Sequence, residues 1–231
     1  MKWKEHWDTY PNKFAKDEFL KQVGKTVQGQ PITTVQLDIL LSGLIQKLDL
    51  NQDDLVLDLC CGNGLITSAV AKECRSVIGI DFSRALIDIA RKYHGDINTS
   101  YLNLSVLDIT SENMQISQPF TKIYMYEALQ YFQEDQLAQL LKILLAFSSE
   151  EVIILFASVP DESRLWEFYN TFERRCEYDL RKTNGIEAIG TWWKKEMILK
   201  VCGFYGLQCK FFRQPQSLHT AHYRFDVRIK R

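Results

Sequence analysis

Proline is scarce in this chain of 231 residues, with five in all, and glycine contributes only eleven. Internal repeats, low-complexity tracts and Pro/Gly/Ser-rich linkers are missing, so no domain boundary is marked. Neither charge is in surplus: 28 Lys and Arg face 29 Asp and Glu, a formal net charge of -1. A general nucleic-acid binder carries a basic excess. Here the basic pairs, such as Arg174-Arg175 and Lys194-Lys195, are scattered and read as solvated surface. The longest apolar run, residues 152–159, is broken by Ser158 and far too short to cross a bilayer. Six cysteines show no C-x-x-C spacing, which argues against a zinc or redox site, and four sit in apolar runs. They read as small buried hydrophobes in a reducing, cytoplasmic setting. The polar first residues lack an apolar stretch behind them, so no secretory signal is expected. Without an aspartate cluster to hold magnesium, no metal is expected.

What the chain does have is alternation. Apolar strand-like runs and helical patterns follow one another, which predicts an α/β domain around a mostly parallel sheet. A helix is expected over 33–48, with Leu37, Leu40, Leu41, Leu44 and Leu48 on one face. Strands are expected at 55–60, 76–81, 101–106, 122–126 and 152–156, apolar on both faces as central parallel strands are. Helices should fill 83–93 and the leucine-rich stretch 137–145. Residues 160–190 are charged and aromatic with weak periodicity, longer than an ordinary connection, and read as a helix plus an insertion. A helix over 192–201 should end on Gly203 as a left-handed cap. A sixth strand follows at 207–212. The last strand alternates Tyr223, Phe225, Val227 and Ile229 with Arg224, Asp226, Arg228 and Lys230, which predicts an antiparallel strand with one wetter face. The expected organisation is one domain over 1–231. Within it, 1–30 would be a polar, aromatic lid, 33–158 the ligand-binding half, 160–190 an insertion over the site and 191–231 the closing helix and strands.

The chemistry concentrates at Asp58-Leu59-Cys60-Cys61-Gly62-Asn63-Gly64, where the first strand gives way to a helix. Glycines separated by one residue let the backbone turn tightly and approach a ligand. The helix behind them offers free N–H groups to an anionic group. Asp81 stands seventeen residues past Gly64, at the end of the next strand, where a carboxylate can accept both hydroxyls of a ribose. Dinucleotide enzymes use the same device. Their G-x-G-x-x-G/A fingerprint, however, needs a small residue where Thr67 stands, and the chain has no room for a separate catalytic domain.

The segment 56–64 resembles the nucleoside-binding motif of class I S-adenosylmethionine-dependent methyltransferases. The likeness continues in register through 78–83, 107–109, 120–132 and 192–212. It implies a seven-stranded, doubly wound, Rossmann-like methyltransferase fold with an antiparallel last strand, and S-adenosylmethionine as cofactor. It also implies roles. Gly62 and Gly64 would let the backbone approach the methionine end and ribose, with Asp58 near the cofactor's amino group. Asp81 would hold the ribose hydroxyls and Phe82 would pack on the adenine. Asp108 would accept from the adenine amino group beside a backbone donor at Ile109. Tyr126 would lie near the methionine moiety at the mouth of the acceptor site. Two departures stand out. Cys60 occupies the place of the motif's first glycine, and Gln130 stands where many relatives carry histidine.

Methyl transfer by in-line displacement needs alignment and exclusion of water. Tyr126 or Tyr131 offers an aromatic face for a positive sulfur. A hydroxyl or ammonium acceptor must also lose a proton, and the candidate bases are His219, His222 and Glu127. The aromatic segments over the strand ends favour a small molecule, such as a sugar or a secondary metabolite methylated on O, N or C, rather than nucleic acid or a membrane. The Pro-Pro element by which relatives methylate adenine or glutamine nitrogens is missing after Tyr126. A protein or RNA acceptor, or a cofactor-binding protein without activity, are the other readings.

Overall fold

The computed structural model describes residues 3–231; Met1 and Lys2, at the start of the expected lid, lie outside them. The chain opens with α1 (Trp3–Thr9), α2 (Phe19–Gln22) and a small hairpin, β1 (Thr26–Val27) and β2 (Gln30–Pro31). Next come α3 (Thr34–Leu48), β3 (Leu55–Leu59), α4 (Leu65–Val70), β4 (Ser76–Asp81), α5 (Arg84–Tyr93) and β5 (Thr99–Asn103). The chain goes on through α6 (Ser111–Met114), β6 (Phe120–Tyr126), α7 (Glu134–Ala146) and β7 (Ser148–Pro160). It closes with α8 (Leu165–Phe168), α9 (Phe172–Thr183), α10 (Lys195–Phe204), β8 (Gln208–Arg213) and β9 (Arg224–Lys230).

Seven strands form one sheet in the order β5-β4-β3-β6-β7-β9-β8. Neighbours from β5 to β7 run parallel, and β9 is antiparallel to both β7 and β8. The chain winds outward from β3 to β5, then returns to lay β6 on the other side of β3. That reversal leaves a crevice beyond the carboxyl ends of β3 and β6, where open α/β sheets bind ligands.

Strand periodicity sorts the core into two layers. Leu57, Leu59, Ile123, Met125, Ile154 and Phe156 pack with Leu137, Leu141 and Ile198 of α7 and α10 on one face. Val56, Tyr124, Ile153 and Leu155 pack with Leu40, Leu44 and Leu48 of α3 on the other. Helix α3 begins in a reciprocal capping box: Gln36 N–H donates to Thr33 Oγ1 at 3.2 Å, and Thr33 N–H to Gln36 Oε1 at 3.4 Å. Buried leucines every four residues then seat it on the sheet.

The strand expected at 101–106 lies at Thr99–Asn103 and the helix expected over 192–201 at Lys195–Phe204, and two further details differ. Gly203 lies inside α10, and the left-handed turn after that helix belongs to Gly206, at φ +69°. The second face of β9 is dry over its first half and wet only toward Lys230. Arg224 and Asp226 are buried there because β9 lies between two strands and under α3, whose Lys47 Nζ meets Asp226 Oδ2 at 2.8 Å. Among the described residues, no helix is long and apolar enough to cross a membrane.

Candidate active site

A cavity of about 970 Å³ opens over the crevice between β3 and β6. Its floor is built by strand ends, and three of those ends carry a non-glycine residue in the left-handed region. They are Cys60 after β3 (φ +57°), Glu127 after β6 (φ +59°) and Ser158 near the end of β7 (φ +58°). Such backbone settings cost free energy and cluster where a fold aims side chains at a ligand. Its roof comes from α1 to β1, which contribute Trp3, Trp7, Tyr10 and Lys25, and from the segment around α8 and α9, which contributes Phe168, Arg174 and Ile189. Hydrogen bonds fasten the first of these segments down: Ser83 Oγ donates to the Trp7 carbonyl at 3.0 Å, and Asn63 Nδ2 to Phe19 O and Gln22 Oε1, both at 2.9 Å.

One group of polar side chains surrounds the glycine turn. The buried Asp81 carboxylate accepts from Gly62 N–H at 3.0 Å and from Ser83 N–H at 2.8 Å, one bond to each oxygen. It therefore ties the turn to the start of α5 and keeps lone pairs for further donors. Burial raises its pKa to about 6 despite those two bonds. Asp58, 2% exposed, accepts from Thr67 Oγ1 and Tyr124 Oη at 2.6 Å each, both on Oδ2. Burial, with Asp81 nearby, lifts Asp58 to about 7. Cys60, Gly62 and half-buried Phe82 line the same wall.

The remaining cofactor-site expectations are placed elsewhere. Gly64 does not line the cavity. A Cβ there would stand 2.7 Å from Tyr101 Oη and 3.0 Å from Ala90 Cβ, so this glycine lets α4 start close against α5 and β5. Asp108 is exposed and Ile109 is buried in the core; the rim beside them is Ser105, Val106 and Leu107. A short 3-10 turn over residues 106–108 swings the Asp108 side chain outward.

A second group lies across the floor. Lys25 Nζ pairs with Glu127 Oε2 at 2.7 Å and sits 4.1 Å from the centre of the Tyr126 ring. Burial pushes the Glu127 carboxyl up, but Lys25 and Arg224 outweigh it and hold it at about 2. A carboxylate so firmly ionised takes up protons poorly at neutral pH. Arg224, 3% exposed, donates through Nη1 to Gln130 Oε1 at 2.8 Å and to the Ser158 carbonyl. His219 is half-buried, and its Nδ1 is buried without a hydrogen-bond partner. Burial lowers the His219 pKa, with Lys25, Arg224 and His222 acting in the same direction, so the ring is neutral at pH 7. His222 is exposed at the rim, its ring stacked 6.2 Å from Phe168. Of the residues singled out in the sequence, Glu127, His219 and Tyr126 lie at this floor and His222 at its rim, while Lys25 and Arg224 are not among them. Nothing in the hairpin sequence or in the alternation of the last strand distinguishes these two from surface cations. Among the described residues, no group of three or more His, Cys, Asp or Glu side chains is arranged to hold a metal ion.

Residues 56–147 match a family model described as a methyltransferase domain. A probable cobalt-precorrin-6B C(15)-methyltransferase (decarboxylating) of Methanocaldococcus jannaschii is 29% identical over 108 residues, 47% of this chain and 54% of that protein. A ubiquinone biosynthesis O-methyltransferase of Vibrio vulnificus is 28% identical over 127 residues, 51% of each. The chain thus spans about half the length of these curated relatives. Among solved structures, the magnesium protoporphyrin IX methyltransferase of Synechocystis PCC 6803 with bound SAH superposes with a TM-score of 0.63 at 13% identity, over 99% of this chain and 97% of that one. The likeness to that structure is one of fold: the same seven-stranded, mostly parallel sheet flanked by helices. The family match falls on β3 to α7, the strands that carry the glycine turn and both buried aspartates, so this part of the chain resembles a methyltransferase domain built on a Rossmann-like sheet.

Proposed function

We propose that this chain transfers the methyl group of S-adenosylmethionine to a small-molecule acceptor, on oxygen, nitrogen or carbon. The observation that carries the reading is the single roofed cavity in which both groups of polar side chains meet. Asp58, Gly62 and Asp81 line one wall, and Glu127, His219 and Arg224 line the floor beyond it, where Lys25 reaches down from the roof to Glu127.

The residues present fit a nucleoside with an amino-acid tail. Asp81 has an acceptor site left on each oxygen for the ribose hydroxyls, and Asp58 keeps Oδ1 for an ammonium group. Gly62, with φ +57°, leaves free the space that a side chain would take beside Val23. When bound, the cofactor supplies a methyl group on a sulfonium, already a good leaving group. The protein therefore has to align, exclude water and manage one proton. The roof of Trp3, Trp7 and Tyr10 keeps water out. His219, neutral and with a free Nδ1, is the group on this floor suited to take a proton from the acceptor. Tyr126 already carries the Lys25 ammonium on its ring, which leaves Tyr131, packed 4.5 Å from Trp3, as the aromatic face free of a cation.

Three of the similar proteins are named for low-molecular-weight acceptors, precorrin, ubiquinone and protoporphyrin compounds, whereas the 23S rRNA methyltransferases that also match do so over only 17–18% of their length. The test is twofold. Calorimetry should detect S-adenosylmethionine binding, and labelled cofactor incubated with metabolite extracts should transfer label to a low-molecular-weight fraction. Absence of cofactor binding would overturn the reading. Label recovered only in RNA or protein would overturn the small-molecule acceptor.

A further inference from the structure

Arg224 is the most deeply buried cation on the cavity floor, and it has no acidic partner among the described residues. Its hydrogen bonds go to a neutral amide and a carbonyl, its Nε has no acceptor, and no described carboxylate forms an ion pair with it. Burial opposes its charge, which is supported by neighbouring Tyr223, its ring centre 5.0 Å away, and by Glu127. Glu127, the acid of this floor, already holds Lys25 at 2.7 Å. Arg174 adds another guanidinium at the roof, 4.7 Å from the centre of the Phe168 ring. The floor and roof of this half therefore carry three cations against one anion among the described residues. A buried cation without a counterion is costly and is usually compensated by a ligand or a second side chain.

We infer that the acceptor is an anion with an apolar or aromatic body, whose carboxylate or phosphate is received by Arg224. This inference rests on the methyltransferase reading of the same cavity. Trp3, Trp7, Phe168 and Tyr223 supply the apolar walls for the body. With Nη1 already donating to Gln130 and Ser158 and Nε buried, the charge-assisted hydrogen bond to the anion comes from Nη2. An anionic group held in that way has its lone pairs engaged and is a poor nucleophile. The charged group is thus the anchor, and the methyl acceptor is a second atom of the same molecule, near His219. One free base and one unmatched cation on one floor fit a hydroxy or amino acid better than a neutral sugar.

The test uses the full chain saturated with S-adenosylhomocysteine, whose own binding is measured first. Aromatic carboxylates (benzoate, 4-hydroxybenzoate) and their primary amides are then titrated by calorimetry. At least one carboxylate should bind about tenfold or more tighter than its amide, as a charge-assisted pair requires. In Arg224→Gln that preference should disappear. In Arg224→Lys, which keeps the charge and covers a folding failure of the glutamine variant, part of it should return. Equal binding of acids and amides, no binding of either, or a preference that survives in Arg224→Gln would overturn the inference. If S-adenosylhomocysteine itself fails to bind, it is the methyltransferase reading that falls.

Discussion

Lys25 and Glu127, 102 positions apart in the chain, meet through a 2.7 Å ion pair that pins the N-terminal hairpin to the end of β6. The lysine is almost fully buried, while the glutamate side chain keeps about a quarter of its surface, 24%. The contact fixes the roof of the cavity to its floor. Glu127 makes this contact from a left-handed backbone setting, φ +59°.

Removing the cation by Lys25→Met should destabilise the chain by about 1–3 kcal/mol in urea unfolding, less than for a fully buried pair because Glu127 is part-exposed. The effect has a definite pH sign. Glu127 is depressed from 4.5 to about 2, so the pair stabilises the fold fully above pH 4.5 and loses its contribution as pH falls toward 2. The stability gap between wild type and variant should accordingly be widest at neutral pH and narrow through the acid range. A gap of equal size at pH 7 and pH 3 would show that the pair is not what holds Glu127 down.

Asp58 behaves in the opposite sense. Its pKa is raised from 3.8 to about 7, so burying its charge weakens the fold progressively as pH rises between those values. A ligand ammonium placed beside it should draw the pKa back down. S-adenosylhomocysteine binding at pH 6 is then expected to release protons, read as a difference in apparent enthalpy between two buffers of unlike ionisation heat. Asp58→Asn should reduce that release without removing it, because Asp81, at about 6, is linked to the same ligand. Identical proton release in wild type and Asp58→Asn would count against the assignment of Asp58 to the ammonium.

The glycine turn separates what the sequence makes legible from what it hides. Strand β3, the turn and Asp81 are readable because a strand apolar on both faces, two glycines and an acid at the next strand end seldom coincide unless a nucleoside is bound there. The roles of the two glycines are not readable, since spacing says that side chains are absent without saying what occupies the space. Gly62 faces the cavity beside Val23, whereas Gly64 faces Tyr101 and Ala90. Arg224 is hidden for a related reason. An arginine alternating with apolar residues looks like the wet face of an edge strand, and only the insertion of β9 between β7 and β8 buries it. Asp108, read as an adenine contact, is carried away from the rim by a backbone turn that no local pattern announces.

These two glycine environments predict separable effects. Gly64→Ala forces a Cβ to within 2.7 Å of Tyr101 Oη and 2.9 Å of Cζ, at φ +80°. It should cost about 1–3 kcal/mol of stability through strain and overpacking. Gly62→Ala is strained too, at φ +57°, but its Cβ meets only the Val23 side chain at 3.0 Å, so its loss of stability should be smaller and its larger consequence weakened S-adenosylhomocysteine binding. Melting curves and calorimetry on both variants check the division. Equal loss of stability in the two would mean that Gly62 is structural as well.

His219 and His222 both precede β9 and both line the cavity, but their surroundings assign them different work. His219 is enclosed with its Nδ1 unsatisfied, while His222 is exposed on the rim against Phe168 and Tyr223. Burial, together with the positive charges of Lys25 and Arg224, lowers the His219 pKa from 6.5, and only Glu127 opposes them. The neutral ring that accepts a proton is therefore already formed below pH 6.5. Single-turnover methyl transfer at saturating cofactor should rise with pH to a plateau whose midpoint lies below that value. His219→Gln should lower the plateau by about 10²–10⁴-fold, the usual contribution of a general base, and remove the inflection while cofactor affinity is retained. His222→Gln should change the acceptor KM and leave the inflection in place. Should the inflection persist in His219→Gln and vanish in His222→Gln, the rim histidine would be the base, and the unsatisfied Nδ1 of His219 would instead mark a polar contact to the acceptor.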